Sequence, residues 1–305
     1  MVAPTPGSTA APVPAPGGAR PARPAVPAAD VHEDVSGASV AGAVLRRVGA
    51  SLVTLVVSAL VLVLAWYALL RLLEVDPFIG KRPLDVYRYL FDDADAAAHR
   101  SEIAGWLGTT LADAVTGFVA GIAGALAVAS LFTLLRPLEF VFMPLAMLLR
   151  SVPLVAMAPV IGMTFSSELL RAATIGGVVV FFPVLVNAAL GLRSASPQAI
   201  DVIRVNGGTK WTALRKVAVP SALPNLFAAV RISVPGAVIG AMLYEWLFSG
   251  RGLGSEIFRA NSQVQYDKLW AIVVVVTFAS ILLYTLVSIL ETLVLAKWGP
   301  HAGRR

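Results

Sequence analysis

The chain has 305 residues, of which 57% are hydrophobic and 14% charged, with a net charge of +6 and a mean hydropathy of +0.79. So apolar a composition excludes a soluble domain of this length and places the chain in a bilayer. The absence of cysteine excludes disulfides, thiolate zinc sites and thiol nucleophiles, and the three histidines, His32, His99 and His301, all lie outside the apolar stretches, so no intramembrane His cluster exists for metal or proton relay.

Residues 1–30 hold eight of the twenty prolines among Ala, Gly and Ser. That composition cannot bury enough apolar surface to fold, so residues 1–40 are expected to be a disordered Pro/Ala-rich cytoplasmic tail. They lack the basic start and apolar core of a secretory signal. Residues 41–305 form the transmembrane domain, with its core over 107–296. A helix needs about 20 apolar residues to cross the hydrocarbon layer, and six stretches meet or approach that length. The first covers 48–73. The second, 107–135, is rich in Gly and Ala, with Gly117, Gly121 and Gly124 spaced so that neighbouring helices can approach closely. The third is interrupted: an apolar run over 138–149 stops at Arg150 and resumes over 152–165 with Pro153 and Pro159, which predicts a short cytoplasmic-side helix and then a Pro-kinked span. The fourth covers 172–192, the fifth 226–248 and the sixth 269–296. The fold class is therefore all-α and polytopic.

With the tail taken as cytoplasmic, fifteen Lys and Arg fall on the inner side and eight on the outer, which puts both termini inside and accounts for the basic excess. No basic patch with interleaved aromatics points to nucleic acid.

Between the fourth and fifth spans stands DVIRVNGGTKWTALRKVAVP, Asp201 to Pro220, polar and basic between two apolar neighbours. Ser196 and Pro197 suit a helix start as cap and first helical residue. The helix carries Ile200, Ile203 and Arg204 and breaks at Gly207 and Gly208. A second run places Trp211, Leu214, Val217 and Ala218 at helical spacing and is expected to end near Pro220 and Pro224.

This segment resembles the Glu-Ala-Ala motif of the permease subunits of ATP-binding-cassette importers. Its pattern is that triplet, three residues, Gly, nine residues, Ile, one residue and Leu-Pro. Asp201, Val202 and Ile203 stand at the triplet, Gly207 follows at the right distance, and Val217, Val219 and Pro220 close the pattern. Asp replaces Glu, Val-Ile replaces Ala-Ala, and Val replaces both Ile and Leu. NGGTKWTALRKVAVPSALP, TGFVAGIAGAL from Thr116, the 149–162 stretch, FFPVLVNAALGLRS from Phe181, and Glu245 followed by Gly252-Leu253-Gly254 look like the nitrate, sulfonate and taurine branch. The likeness covers 107–296. It implies a multi-pass subunit of the bacterial inner membrane with a type I importer fold. Residues 197–220 would form a coupling helix on a cytoplasmic ATPase subunit, in which Asp201, Val202, Ile203, Arg204, Asn206, Gly207, Gly208, Lys210, Trp211 and Pro220 take part. It further implies a second permease subunit, with a homodimer favoured, an extracellular or lipid-anchored substrate-binding protein, and membrane lipid around this chain.

No GxxxxGK[ST] phosphate loop occurs, so ATP and Mg belong on the partner ATPase and this chain is expected to carry neither cofactor nor metal nor catalytic residue. Polar residues inside the spans are the pathway or gate candidates: Asn187, Tyr244 and Glu245, with Asp113, Arg231 and Glu291 nearer the ends. Glu245 has two readings, an ion pair or hydrogen bond that fixes the fifth span, or a place on the pathway. Residues 250–254 read as a tight loop or re-entrant corner. A secondary transporter would need more embedded carboxylates and an inverted repeat, an intramembrane metalloprotease would need His in the spans, and an exporter would not need the coupling motif. The cargo suggested by the branch is a small anion such as a sulfonate, taurine or nitrate, the alternative a vitamin precursor or other small solute.

Overall fold

The computed structural model describes residues 57–58 and 60–298, so the expected tail and the start of the first span lie outside the described residues. Helix α1 runs Leu60–Leu72. Helix α2, Pro83–Phe91, starts with Pro83 in its first turn, where the missing N–H costs nothing. The Asp85 carboxylate accepts the Arg82 backbone N–H at 3.0 Å and closes that end. The remaining helices are α3 (Ala96–Leu134), α4 (Arg136–Leu149), α5 (Leu154–Thr164), α6 (Glu168–Arg193), α7 (Pro197–Val205), α8 (Lys210–Ala213), α9 (Val219–Tyr244), α10 (Gly252–Ser262) and α11 (Tyr266–Trp298).

Among the described residues four stretches are long and apolar enough to cross a membrane: Ala96–Leu134, Glu168–Arg193, Lys210–Ser249 and Tyr266–Leu295. The interrupted third stretch is the bent pair α4 and α5, turned by 105° at the break after Leu149, and makes a fifth span if counted as one. The break follows from Pro153, which cannot continue α4 and instead precedes α5.

The fifth span departs from its sequence-based limits. A helix was expected to stop near Pro220 and Pro224, yet the chain is helical without interruption from Lys210 to Ser249. Proline in a helix interior normally costs about 3 kcal/mol through the lost hydrogen bond and ring clash. Here a π-helical turn over Leu214–Ala218 widens the backbone just ahead of Pro220, which then sits in the first turn of α9. Neighbouring helices and local π geometry let spans keep such prolines.

The core is a bundle of α3, α6 and α9. Along α3, Ala114, Gly117, Gly121, Ala125 and Ala129 are buried at helical spacing, as the small residues of this stretch predict. A Cβ on Gly117 would lie 2.6 Å from the Gly176 Cα, and one on Gly240 would lie 2.7 Å from the same atom. Gly176 on α6 is thus the point where three backbones cross. Dispersion contacts supply the adhesion in such a crossing, because lipid offers no hydrophobic drive between helices.

A second cluster joins α2, α3, α10 and α11 through Val86, Leu90, Ile103, Leu253, Ala271 and Ile272. Trp66 stacks on Trp270 at 5.2 Å, and the Trp270 indole donates to the Ile79 carbonyl at 2.8 Å. Burial, followed by the Glu102, Asp267 and Asp93 carboxylates, pushes the Tyr89 hydroxyl up to about 12, so it stays neutral at ordinary pH. Several charges at this end pair: Lys81 with Asp267 at 3.0 Å, Arg251 with Glu168 at 2.7 Å, and the buried Glu256 with both Arg259 and Lys268.

Candidate functional site

The polar segment folds as two helical arms around one turn. Ser196 caps α7, its hydroxyl oxygen accepting the Ala199 N–H. Ile200 and Ile203 of α7 are partly buried, while Val202 and Val205 stand 61% and 88% exposed. At the C-terminal end the Gly208 N–H donates to the Ile203 carbonyl and the Gly207 N–H to the Arg204 carbonyl, each at 2.9 Å. These are the two bonds of a Schellman turn, with Gly207 in the left-handed conformation at φ +75°. The Asn206 amide adds a bond to the Val202 carbonyl at 2.7 Å. The two glycines serve different needs. A Cβ on Gly207 would meet nothing within 4 Å, so only its φ demands glycine, whereas a Cβ on Gly208 would collide with the Ile203 side chain and carbonyl.

Thr209 then caps α8, its hydroxyl accepting the Thr212 N–H at 3.3 Å. Lys210 and Trp211 open that helix, with Trp211 59% exposed, and Pro220 follows on α9. Asp201 and Arg204 pair at 3.4 Å on the exposed side of α7. An exposed pair of this kind contributes little to stability. The turn therefore presents Val202, Val205 and Trp211 among charged neighbours, apolar area that no part of the described chain covers.

The three candidates inside the spans do not form one site. Asn187 on α6 donates to the carbonyl of Pro183 one turn earlier, at 2.8 Å. Tyr244 is buried with Ile161, Ala172 and Ile175, and Ile175 lies twelve residues before Asn187, about 18 Å along α6. Glu245 follows Tyr244 but points into a different corner and is fully buried.

That corner is built from a second π-helical turn, Glu245–Ser249, and the start of α10. Glu245 Oε2 accepts the Gly254 N–H at 2.7 Å, and the Glu245 carbonyl accepts the Ser255 hydroxyl at 2.6 Å. The Thr110 hydroxyl of α3 accepts the Leu253 N–H at 2.9 Å. Gly250 and Gly252 take φ of 66° and 83°, and any side chain at Gly252 would occupy the space of the Glu245 carboxylate. A Cβ on Gly254 would run into the Met242 backbone. Residues 250–254 are thus a tight corner fastened by a buried carboxylate. Of the two readings of Glu245, the anchoring one describes its contacts.

Two further charge pairs join residues far apart in sequence. Arg231 on α9 meets Glu291 on α11 at 3.0 Å, its guanidinium over the Tyr284 ring. Glu139 on α4, buried in an otherwise apolar helix, pairs with Arg193 at the end of α6. Glu139 escaped the candidate set although an acid in an apolar helix is itself a signal of a buried partner. Among the described residues no cluster of His, Asp or Glu could hold a metal ion.

Comparison with known proteins places the chain in a family. Residues 117–299 match the binding-protein-dependent transport system inner membrane component, close to the 107–296 over which the motifs run. The chain is 27% identical to a probable ABC transporter permease protein of Haemophilus influenzae over 73% of this chain and 89% of that one. It is 30% identical to the riboflavin transport system permease protein of Chloroflexus aurantiacus, over 54% of this chain and 61% of that one. It is 28% identical to a putative aliphatic sulfonates transport permease protein of Bacillus subtilis, over 65% and 71%. The matched stretch exceeds half of the sequence, and the chain belongs to the inner-membrane components of binding-protein-dependent transport systems, the permease subunits of ATP-binding-cassette transporters.

Proposed function

We propose that this chain is the permease subunit of an ATP-driven importer, that it forms the translocation pathway, and that ATP-driven motion enters it through Asp201–Pro220. The observation that carries the coupling role is the Schellman turn at Gly207, which holds Val202, Val205 and Trp211 out of the fold on a segment fixed at both ends. An exposed apolar cluster rimmed by charge marks an interaction surface. The second arm is continuous with the fifth span, so a push on the turn is delivered to a helix that crosses the core. The ATPase partner supplies ATP and Mg, a binding protein delivers the solute, and two copies of this chain line the path. Both termini and the 197–220 segment are cytoplasmic in the bacterial inner membrane.

The cargo favoured by the motifs is a small anion such as a sulfonate, taurine or nitrate. A second reading, a vitamin or vitamin precursor, has its own support in the riboflavin relative and in a formylaminopyrimidine transport permease of Halalkalibacterium halodurans, 31% identical over 50% of this chain. Mass spectrometry of the ligand released from the copurified binding protein tests the pair. A sulfonate or nitrate supports the first reading, and a flavin or pyrimidine replaces it with the second. ATP-independent uptake driven by an ion gradient in proteoliposomes overturns the importer mechanism itself.

A further inference from the structure

A groove of about 910 Å³ opens where α3 ends, α4 begins and α7 crosses the end of α6. Its charged lining is Arg136, Arg193, Arg204 and Lys210 against Glu139 and Asp201. The two acids are already engaged, Glu139 with Arg193 and Asp201 with Arg204. Arg136 and Lys210 are left with no carboxylate within ion-pair distance among the described residues. Phe132, Leu135, Phe140, Leu192, Ile200 and Leu214 make up much of the remaining wall.

We propose that this groove binds one anionic phospholipid, its phosphate at Arg136 and Lys210 and its acyl chains against the apolar wall and the outer face of α4. A basic pocket between transmembrane helices at the cytoplasmic surface is the arrangement that takes acidic lipid headgroups. A free phosphate would satisfy the two cations but has no use for the apolar wall, which costs it hydration without return. An amphiphile uses both. The apolar surface also continues beyond the groove: Phe140, Val141 and Leu148 of α4 are 79%, 67% and 68% exposed, a track for the chains into the hydrocarbon layer. Because α7 and α8 form one side of the groove, an occupied groove stiffens the base on which the Gly207 turn stands. That consequence for transport rests on the coupling reading, while the lipid binding does not.

The test is native mass spectrometry of the full-length protein released from nanodiscs holding equal parts of phosphatidylglycerol and phosphatidylcholine with matched chains. The wild type is expected to retain one phosphatidylglycerol at least fivefold over phosphatidylcholine. Arg136→Gln is expected to erase that preference, Arg136→Lys to keep it, and millimolar inorganic phosphate not to displace the lipid. Equal retention of the two lipids by the wild type overturns the proposal without any variant, so poor folding of Arg136→Gln leaves it testable. A preference unchanged in Arg136→Gln, or displacement by inorganic phosphate, overturns it as well. No ATP enters the measurement, so its failure leaves the coupling reading intact, and failed coupling leaves the lipid ratio unchanged.

Discussion

Substituting Gly207 with Asp separates the proposed coupling role of the turn from its role in folding. A residue with a Cβ pays about 1–2 kcal/mol in the left-handed conformation, with Asp toward the lower end because it visits that region more readily. At 1.4 kcal/mol per tenfold, the strain reduces the population of the formed turn by roughly 5- to 30-fold relative to its open forms. No clash adds to this, since a Cβ at this position meets nothing within 4 Å. The glycine crossing at Gly176 and the Glu245 corner are untouched, so the variant should insert and remain monodisperse in detergent at wild-type yield. A carboxylate then projects from the tip that the ATPase would cover. The expected outcome is at least a tenfold loss of ATPase copurifying with tagged permease, and a matching loss of binding-protein-stimulated ATP hydrolysis in proteoliposomes. Gly207→Asn, which tolerates the same φ without the charge, should lose less. Gly208→Ala is the opposite control, because its methyl would collide with the Ile203 carbonyl, and it should lower the yield of folded protein. A Gly207→Asp permease that holds its ATPase and hydrolyses ATP at the wild-type rate would refute the reasoning.

Other positions give independent expectations. Glu245→Ala strands the buried Gly254 N–H, a cost of about 1–3 kcal/mol, so the detergent melting temperature should fall and Glu245→Gln, which keeps an acceptor, should recover most of it. Gly176→Leu forces apart backbones that meet at Gly117 and Gly240, and size-exclusion profiles should show loss of the folded peak, with Gly105→Leu, which faces open space, as the silent comparison. Removing one member of the Arg231–Glu291 pair leaves a charge in the span, bounded at about 2.5–3.5 kcal/mol for a charge at the helix centre, and the double variant Arg231→Met/Glu291→Leu should be more stable than either single one. Since the chain has no cysteine, single-cysteine labelling reads the topology directly: Val205→Cys should react only with inside access and Phe78→Cys only with outside access, and the reverse pattern would invert the orientation.

What the sequence made legible and what it hid divide along a physical line. The spacing from Asp201 through Gly207 to Pro220 is a local pattern, and the turn it marks rests on local bonds, from Gly207 and Gly208 back to Arg204 and Ile203. The small residues of α3 likewise announce a close helix contact, because close approach has no other use for such spacing. The limits of the fifth span were hidden for a different reason. Pro220 and Pro224 signal a helix end on local grounds, and the π-helical turn at Leu214–Ala218 that carries the helix past them has no residue signature of its own. Glu245 shows the same limit at a single side chain. Its two readings share one local context, and only the fold turns the glycine corner nine residues on back onto its carboxylate and brings in Thr110 of α3, 143 residues before the Leu253 N–H it accepts. This division bears on the cargo. The proposed power input is a local turn, whereas Asn187 and Glu245 engage backbone groups of the chain, and Asn187 lies about 18 Å along α6 from the cluster that buries Tyr244. In the proposed assembly, recognition of the solute falls to surfaces that a second copy completes or to the binding protein. A permease whose cargo changes when only its binding protein is exchanged places selection with the binding protein.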